Sequence, residues 1–369
     1  MPNTKLNDIF QSIGYKIAKR KLSNIILSAS FLIFLAQNRY NMNSLYPLKF
    51  EPILKDRIWG GNRISTELNK PQGALPNIGE SWELSGVEGD VSVVSNGFLQ
   101  GNAIDELIEV YMGDLVGDKV FAKFGTEFPL LFKFIDANDY LSIQVHPDDE
   151  LAMQRHNMRG KTEMWYIIDA AADARLISGF NCPMDKQKYL ENFRGGTLRN
   201  IVNWEKVKAG DVFFIPAGRI HAIGPNIMLA EIQETSDITY RIYDWDRLGA
   251  DGKPRAMHTD LAIDAIDYTF QKNHKTQYEV RKNLSSPIVS CQHFTTNLLN
   301  FDKPIEIDYG RIDSFVVYMA IDGKSAIYTS NQEQPTIINK GETVLIPAEL
   351  KEVELKPIDG EAKLLEVYV

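Results

Sequence analysis

GDVFFIPAGRIH at residues 210–221 and GETVLIPAELKE at residues 341–352 are two copies of one unit. Each has a glycine, an acid, apolar residues suited to a strand, and then Ile-Pro-Ala. A repeated strand–turn unit predicts two β-barrels in tandem. The copies differ where chemistry would sit. The first carries the turn glycine Gly218 and then His221, whereas the second has Glu349 and Glu352 at those places. The first copy therefore predicts a barrel that presents a histidine at its mouth, and the second a barrel without a metal site.

Working outward, FPLLFKFIDA (128–137), YLSIQVHP (140–147), EMWYIID (163–169), MLAEIQE (228–234), ITYRIYDW (238–245) and SFVVYMAI (314–321) read as strands bounded by loop residues. Frequent short strands predict an all-β dominated fold, a sandwich or barrel, with a few short helices. IDELIEVYMGDL (104–115) places Leu107, Val110, Tyr111 and Leu115 at near-helical spacing, and 185–193 and 258–266 are shorter candidates. The expected organisation is an N-terminal extension over 1–41, a metal-bearing domain over 42–272, a polar linker over 273–286 and a metal-free barrel over 287–369.

Composition narrows the function classes. Of 369 residues, 44% are hydrophobic and 24% charged, an ordinary globular balance. A net charge of −9 argues against a nucleic-acid partner, which needs a basic face. A small anionic ligand is still compatible, because a few local Lys and Arg outweigh the global sign. The two cysteines, Cys182 and Cys291, form no metal-binding spacing. Any metal must then be held by His, carboxylate or amide groups.

Such groups are present. Gln144 and His146 lie two apart on a predicted strand and so point to one face. Glu163 opens the next strand, and His221 ends the turn of the first repeat. Two imidazoles, a carboxylate and an amide oxygen make an N/O site suited to Zn²⁺ or a similar divalent ion. Lys133 sits between Phe132 and Phe134 on an apolar strand, where a charge is costly unless it is paired or reaches a cleft. Lys161 precedes Glu163 by two residues and points the same way if the strand has begun. Trp59, Glu80, Trp82 and Glu83 are candidates to line a sugar site, with core packing as the alternative for the tryptophans.

GDVFFIPAGRIH fits G-x5-P-x-G-x2-H, the second motif of the cupin jelly-roll barrels. With YPLKFEPILKDRIWGG, IGESWELSG, FPLLFKFIDANDYLSIQVHPDD, GKTEMWYII and SDITYRIYDWDR, the chain resembles the type I mannose-6-phosphate isomerases, in their compact bacterial branch. The resemblance covers about residues 45–265 and, more loosely, the C-terminal barrel. It implies interconversion of mannose 6-phosphate and fructose 6-phosphate, aldose and ketose, through an enediol with one Zn²⁺ per chain. It places the metal ligands on His146, Glu163 and His221, with Gln144 beside them, and the catalytic arginine on Arg241. Gln144 replaces the first histidine of the general cupin H-x-H, and Glu163 comes later than the cupin spacing; the glutamine is the isomerase pattern.

In that chemistry a fixed cation such as Arg241 stabilises the enediolate. Lys161, Glu231 and a metal-bound water are candidates for the base. Lys133, with Trp59 and Glu83, is the candidate set for holding the substrate. The competing readings are isomerisation of another sugar phosphate, an Fe²⁺-dependent cupin oxygenase and a non-catalytic sugar-binding cupin. No membrane partner is expected. KIAKRK (16–21) followed by LSNIILSASFLIFLA (22–36) has the order of a secretory signal. A phosphorylated metabolite as substrate favours instead a start at Met42 and a cytoplasmic enzyme.

Overall fold

The computed structural model describes residues 44–249 and 251–369, so the basic and apolar segments of residues 1–41 lie outside the described residues. The first twelve strands are β1 (Leu48–Lys49), β2 (Ile53–Gly61), β3 (Ile78–Leu84), β4 (Leu130–Ala137), β5 (Ile143–Val145), β6 (Glu163–Ala170), β7 (Arg175–Phe180), β8 (Val202–Lys206), β9 (Val212–Ile215), β10 (His221–Ala222), β11 (Ile227–Glu234) and β12 (Tyr240–Tyr243). Strands β2-β3-β4-β11-β6-β9 form a six-stranded sheet and β12-β5-β10-β7-β8 a five-stranded one. The two face each other across a core that includes Ile135, Trp165, Ile167, Leu176, Phe213 and Leu229. This is the cupin jelly roll.

The C-terminal strands are β13 (Ser285–Ser290), β14 (Thr295–Phe301), β15 (Ile305–Asp308), β16 (Val316–Thr329), β17 (Thr336–Asn339), β18 (Thr343–Ile346) and β19 (Glu352–Tyr368). They form one sheet, which β1 joins by pairing with β18. The long strands β16 and β19 curl this sheet around its own core of Tyr318, Ile327, Leu355 and Leu364.

The six-stranded sheet is buried on both faces, which explains why FPLLFKFIDA reads as a continuous apolar run rather than an alternating one. Lys133, Ile135 and Ala137 of β4 face the interior of the first barrel. Leu130, Phe132 and Phe134 face a second core shared with Phe315, Val317 and Leu365 of the C-terminal sheet. That core also takes Ile104, Leu107, Ile108 and Leu115. The helix predicted over 104–115 is two helices, Ile104–Tyr111 and Gly113–Val116, because Met112 breaks the chain with φ 48°. Val110 stands exposed on its outer side.

The repeated unit has one backbone geometry in both places. Gly210 and Gly341 have φ of 86° and 85°, a region that favours glycine. Gly210 N–H donates to the Ile167 carbonyl and Gly341 N–H to that of Ala320, at 2.8 Å each. Asp211 caps the Lys208 N–H as Glu342 caps that of Asn339. The outcome differs at the end of the unit. His221 is buried in β10, whereas Glu352 opens β19 opposite Asp308 and is exposed.

The interior of the C-terminal barrel holds a different polar group. The Glu366 carboxylate is 2% exposed and accepts hydrogen bonds from Tyr309, Asn297 and Ser285. Tyr309→Phe removes one donor to this buried carboxylate. It is expected to lower unfolding free energy by about 1.5–3 kcal/mol, read from the urea midpoint, with kcat and KM unchanged. An unshifted midpoint would show that the network contributes nothing.

Candidate metal centre and active site

Two cross-strand rows face each other at the mouth of the first barrel. In the five-stranded sheet, Gln144 pairs with His221 on one side and Arg241 on the other. In the six-stranded sheet, Trp82, Lys133, Glu231 and Trp165 are successive partners, and Glu163 lies opposite Gln233 in the next row. Directly opposed residues share a face, so sheet register brings Gln144, His221 and Arg241 from one sheet and Lys133, Glu231, Trp165 and Glu163 from the other into one cavity of about 410 Å³, whose lining does not include Trp82 or Gln233. Inward positions of β4, β6 and β11 are apolar deeper down, at Ile135, Ile167 and Leu229, and charged at the mouth.

His146, Glu163 and His221 are each about 1% exposed. His146 Nε2 is 3.2 Å from Glu163 Oε1, and His221 Nε2 is 3.7 Å from Glu163 Oε2. His146 Nδ1 lies 2.8 Å from the Ile238 carbonyl and His221 Nδ1 lies 2.9 Å from that of Arg219. A carbonyl only accepts, so Nδ1 carries the hydrogen in both rings and each Nε2 presents its lone pair. Such backbone anchoring is how metal-binding histidines are fixed.

The donor set fits a divalent metal ion. The three ligand atoms lie within 4.8 Å of one another, and His146 Nε2 and Glu163 Oε2 are buried without a hydrogen-bond partner. Burial, then Lys161, pushes the His146 imidazole down to about 3, and burial also lowers His221. Both rings are thus neutral near pH 7, as ligation requires. Burial would raise the Glu163 carboxyl, but His146, Lys161 and His221 together hold it well below the usual range. Gln144 turns its Nε2 toward His221 Nε2 at 3.2 Å while Oε1 accepts from Ser142 Oγ. An amide turned over presents Oε1 to the same point and leaves its N–H₂ to the Ser142 hydroxyl, which accepts as readily as it donates.

Of the other residues expected at the site, Lys161, Lys133, Trp59 and Arg241 line the cavity and Glu83 does not. Glu83 shares strand parity with Ser81, on the face away from the cavity, and is bound to Lys70 at 2.7 Å and to Ser81 Oγ. The inward acid of β3 is Glu80. Trp59 forms wall; its neighbour Gly60 runs so close to Gly79 that a Cβ there would lie 2.5 Å from the Gly79 nitrogen. Lys133 faces the cavity with its charge engaged, 2.8 Å from Glu231 and donating to Gln233 Oε1. Lys161 is held more loosely, 3.6 Å from Glu163, and burial followed by Lys133 lowers its ammonium pKa.

Arg241 donates to the Ala256 carbonyl at 2.8 Å, and its Nε is buried without a partner. Among the described residues it makes no ion pair. Asp244 is taken by Arg247 and Arg255. Thr239 shares the cavity with Arg241, but Tyr243, which strict alternation along the strand would put on the same face, does not. The register of β12 shifts between Arg241 and Tyr243, and Tyr243 packs against the outer core instead. Arg57 and Arg255 also line the cavity. Arg57 is readable only through its pairing with Glu80, and Arg255 lies in a loop without periodicity.

Glu80 gives the site a pH signature. Burial would raise its carboxyl, but Lys133 and Arg57, with hydrogen bonds from Arg57 and Trp82, hold it down at about 2 against an ordinary 4.5. A carboxyl depressed on folding stabilises the protein fully above pH 4.5, and that contribution is lost as pH falls toward 2. Glu80→Gln should therefore lower stability at neutral pH and flatten its decline across that window. Parallel stability–pH curves for the two proteins would contradict the assignment.

Fold and site together define a cupin enzyme with a candidate N/O metal centre beside a fixed cation. Residues 48–168 match the family model described as phosphomannose isomerase type I, catalytic domain. Mannose-6-phosphate isomerase ManA of Bacillus subtilis is 35% identical over 318 residues, spanning 84% of this chain and 96% of that protein. Mannose-6-phosphate isomerase of Streptococcus mutans is 32% identical over 322 residues, spanning 86% and 97%. The crystal structure of the Bacillus subtilis mannose 6-phosphate isomerase superposes with a TM-score of 0.78 at 28% identity, covering 88% of this chain and all of that one. The chain belongs to the type I mannose-6-phosphate isomerase family and is an aldose–ketose isomerase.

Proposed function

We propose that this protein interconverts mannose 6-phosphate and fructose 6-phosphate with one Zn²⁺ held by His146, Glu163 and His221, with Gln144 as a weaker fourth ligand. The observation that carries the reading is two buried Nε2 lone pairs and a carboxylate facing one point, beside an arginine without an ion pair. When bound, the metal supplies Lewis-acid polarisation of the sugar oxygens. The remaining work falls to side chains of this chain. In the aldose-to-ketose direction one proton moves from C2 to C1 and one from O2 to O1. Lys161 is the better base than Glu231. Its amine has a lowered pKa and one long ion pair, whereas both Glu231 oxygens are engaged, by Trp165 Nε1 and by Lys133. Arg241 faces the charge that develops on O1 and O2. Lys133 is neutralised one-to-one by Glu231, whereas Arg255 shares the single carboxylate of Asp244 with Arg247 and keeps part of its positive charge, so the phosphate fits better toward Arg255 at the cavity wall. A phosphorylated substrate, with Cys182 and Cys291 both free, supports a cytoplasmic enzyme.

The test is a coupled assay with mannose 6-phosphate before and after chelation. Activity should vanish with chelator and return with Zn²⁺. Activity indifferent to chelation would sink the metal requirement, and restoration by Fe²⁺ alone would sink zinc. Turnover of another aldose phosphate in preference to mannose 6-phosphate would move the substrate within the class.

A further inference from the structure

A second cavity of about 610 Å³ lies at one end of the five-stranded sheet, outside the metal-bearing one. Its size is within the range of small-molecule sites, about 300–1,000 Å³. Tyr140 and Trp245 lie with ring centroids 4.4 Å apart and planes 34° apart. Trp204 meets Tyr140 edge-on, with centroids 6.1 Å apart. All three rings are half-buried, and because Tyr140 and Trp245 pack on each other, and Tyr243 meets Trp245 edge-on, a ligand would meet the outer side of this cluster. Two arginines and one acid complete the lining, Arg175, Arg199 and Asp173, all exposed. Among the described residues none of these three side chains makes an ion pair or a hydrogen bond. Of the other described arginines, Arg57, Arg63, Arg155, Arg159, Arg247 and Arg255 are tied to carboxylates, whereas these two guanidiniums stand unpaired beside aromatic rings.

The elements hold this arrangement firmly. Trp204 on β8 and Arg175 on β7 are diagonal neighbours, since Ile177 is the partner of Trp204 and Arg175 that of Lys206. Trp204 Nε1 donates to the Arg199 carbonyl and so fixes the short helix Leu198–Ile201 that carries Arg199. Trp245 Nε1 donates to the Leu141 carbonyl at 2.7 Å. Trp245 and Asp246 both have positive φ, 58° and 55°, which is costly for a bulky residue and is tolerated where the surroundings impose it.

From this we infer a second ligand site, for a sugar ring carrying a phosphate. The C–H face of a pyranose packs on the electron-rich faces of Tyr140 and Trp245. The forked guanidiniums of Arg175 and Arg199 match a phosphate dianion. Asp173, an acceptor only, takes hydrogen bonds from sugar hydroxyls. An uncharged sugar would leave both arginines unused, and a purely apolar ligand would leave all three charged groups unused. The site rests on its own chemistry and not on the substrate of the metal centre. It does adjoin that centre. Leu141 and Ile223 line the first cavity and are hydrogen-bonded to each other at 2.9 Å, while Tyr140, next to Leu141, and Pro225, two residues after Ile223, line the second. Two ligands would thus share one wall, and any coupling of their affinities is reciprocal.

Equilibrium dialysis of the metal-loaded, full-length protein against ³²P-labelled mannose 6-phosphate, at equilibrium with its product, tests this. The wild type should bind two equivalents per chain and the charge-reversal variant Arg175→Glu/Arg199→Glu one. That variant replaces exposed groups and should keep kcat/KM at low substrate, which also reports that it is folded. Unlabelled mannose should fail to displace the second equivalent. One equivalent in the wild type, two in the variant, or displacement by mannose as effective as by its phosphate would each overturn the proposal. So would displacement by adenosine monophosphate at concentrations at least tenfold lower than by the sugar phosphate, which would make the site a nucleotide site. A protein without isomerase turnover that still loses one equivalent on charge reversal would refute the reading of the first cavity and leave the second standing.

Discussion

His221→Ala should lose bound metal and isomerase activity together, with a fall in kcat/KM of about 10³ or more. Three donors converge on one point, and His221 Nε2 is one of only two nitrogens among them. Without it a two-donor site of His146 and Glu163 remains, supported at best by the Gln144 amide, and a structural or catalytic zinc site needs at least three protein ligands. Several kcal/mol of transition-state stabilisation leave with the metal, each 1.36 kcal/mol being tenfold in rate. The fold should survive. β10 is only His221–Ala222, and its pairings to Gln144 and Ser178 are backbone bonds that alanine keeps. The measurements are metal content of the purified variant, steady-state kinetics and the melting temperature. Full metal occupancy in His221→Ala would refute the ligand assignment. Loss of metal with unchanged turnover would separate the ion from the reaction.

The candidate metal ligands were legible because their positions are fixed by strong local signals. Gln144 and His146 stand two apart on a strand, and the turn that ends in His221 needs a glycine at Gly218, where φ is 87°. Lys133 was legible as an anomaly, one charge within an apolar run, but its partner lies 98 residues on at Glu231, which only sheet register brings within 2.8 Å. That pairing decides whether the lysine is free for a ligand. Glu80 and Glu83 show a second limit. Either acid of β3 fits the composition of a sugar site, and strand parity, which the text IGESWELSG does not declare, sends one inward and the other to Lys70. Tyr243 shows a third. Strict alternation along ITYRIYDW would put it beside Arg241, and a single register shift takes it away. In the same way the helix over 104–115 was legible as apolar spacing, while the break at Met112 depends on the chain turning to cover the C-terminal sheet. The arginines at the rim, Arg57 and Arg255, carried no signal of their own, since each is placed by an acid far along the chain or by a loop.

Arg241→Ala should lower kcat by about 10²–10³ and leave KM within a few-fold of the wild type. Its strand pairs with β5 so that Arg241 stands directly opposite Gln144, which in turn stands opposite His221. The guanidinium therefore sits in the same row as the proposed metal ligands Gln144 and His221 and not out at the rim. One nitrogen is fixed by the Ala256 carbonyl and Nε is buried without a partner, so a donor is left for a ligand oxygen. Burial, then Arg255, lowers its pKa, yet a guanidinium starts so high that the charge persists at neutral pH. Charge on O1 and O2 of the sugar grows only as the enediolate forms. A fixed cation there gains more with the transition state than with the substrate, which is the condition for acting on kcat. Removing one such stabilising donor typically costs about 10²–10³ in kcat. Arg241→Lys keeps the charge but not the planar fork, and should recover only part of the loss. The rival role, gripping the phosphate, has the opposite kinetic signature, a sharply raised KM with kcat near normal. Steady-state kinetics on variants of equal metal content distinguish the two, and a KM-only effect would move Arg241 from the chemical step to substrate binding.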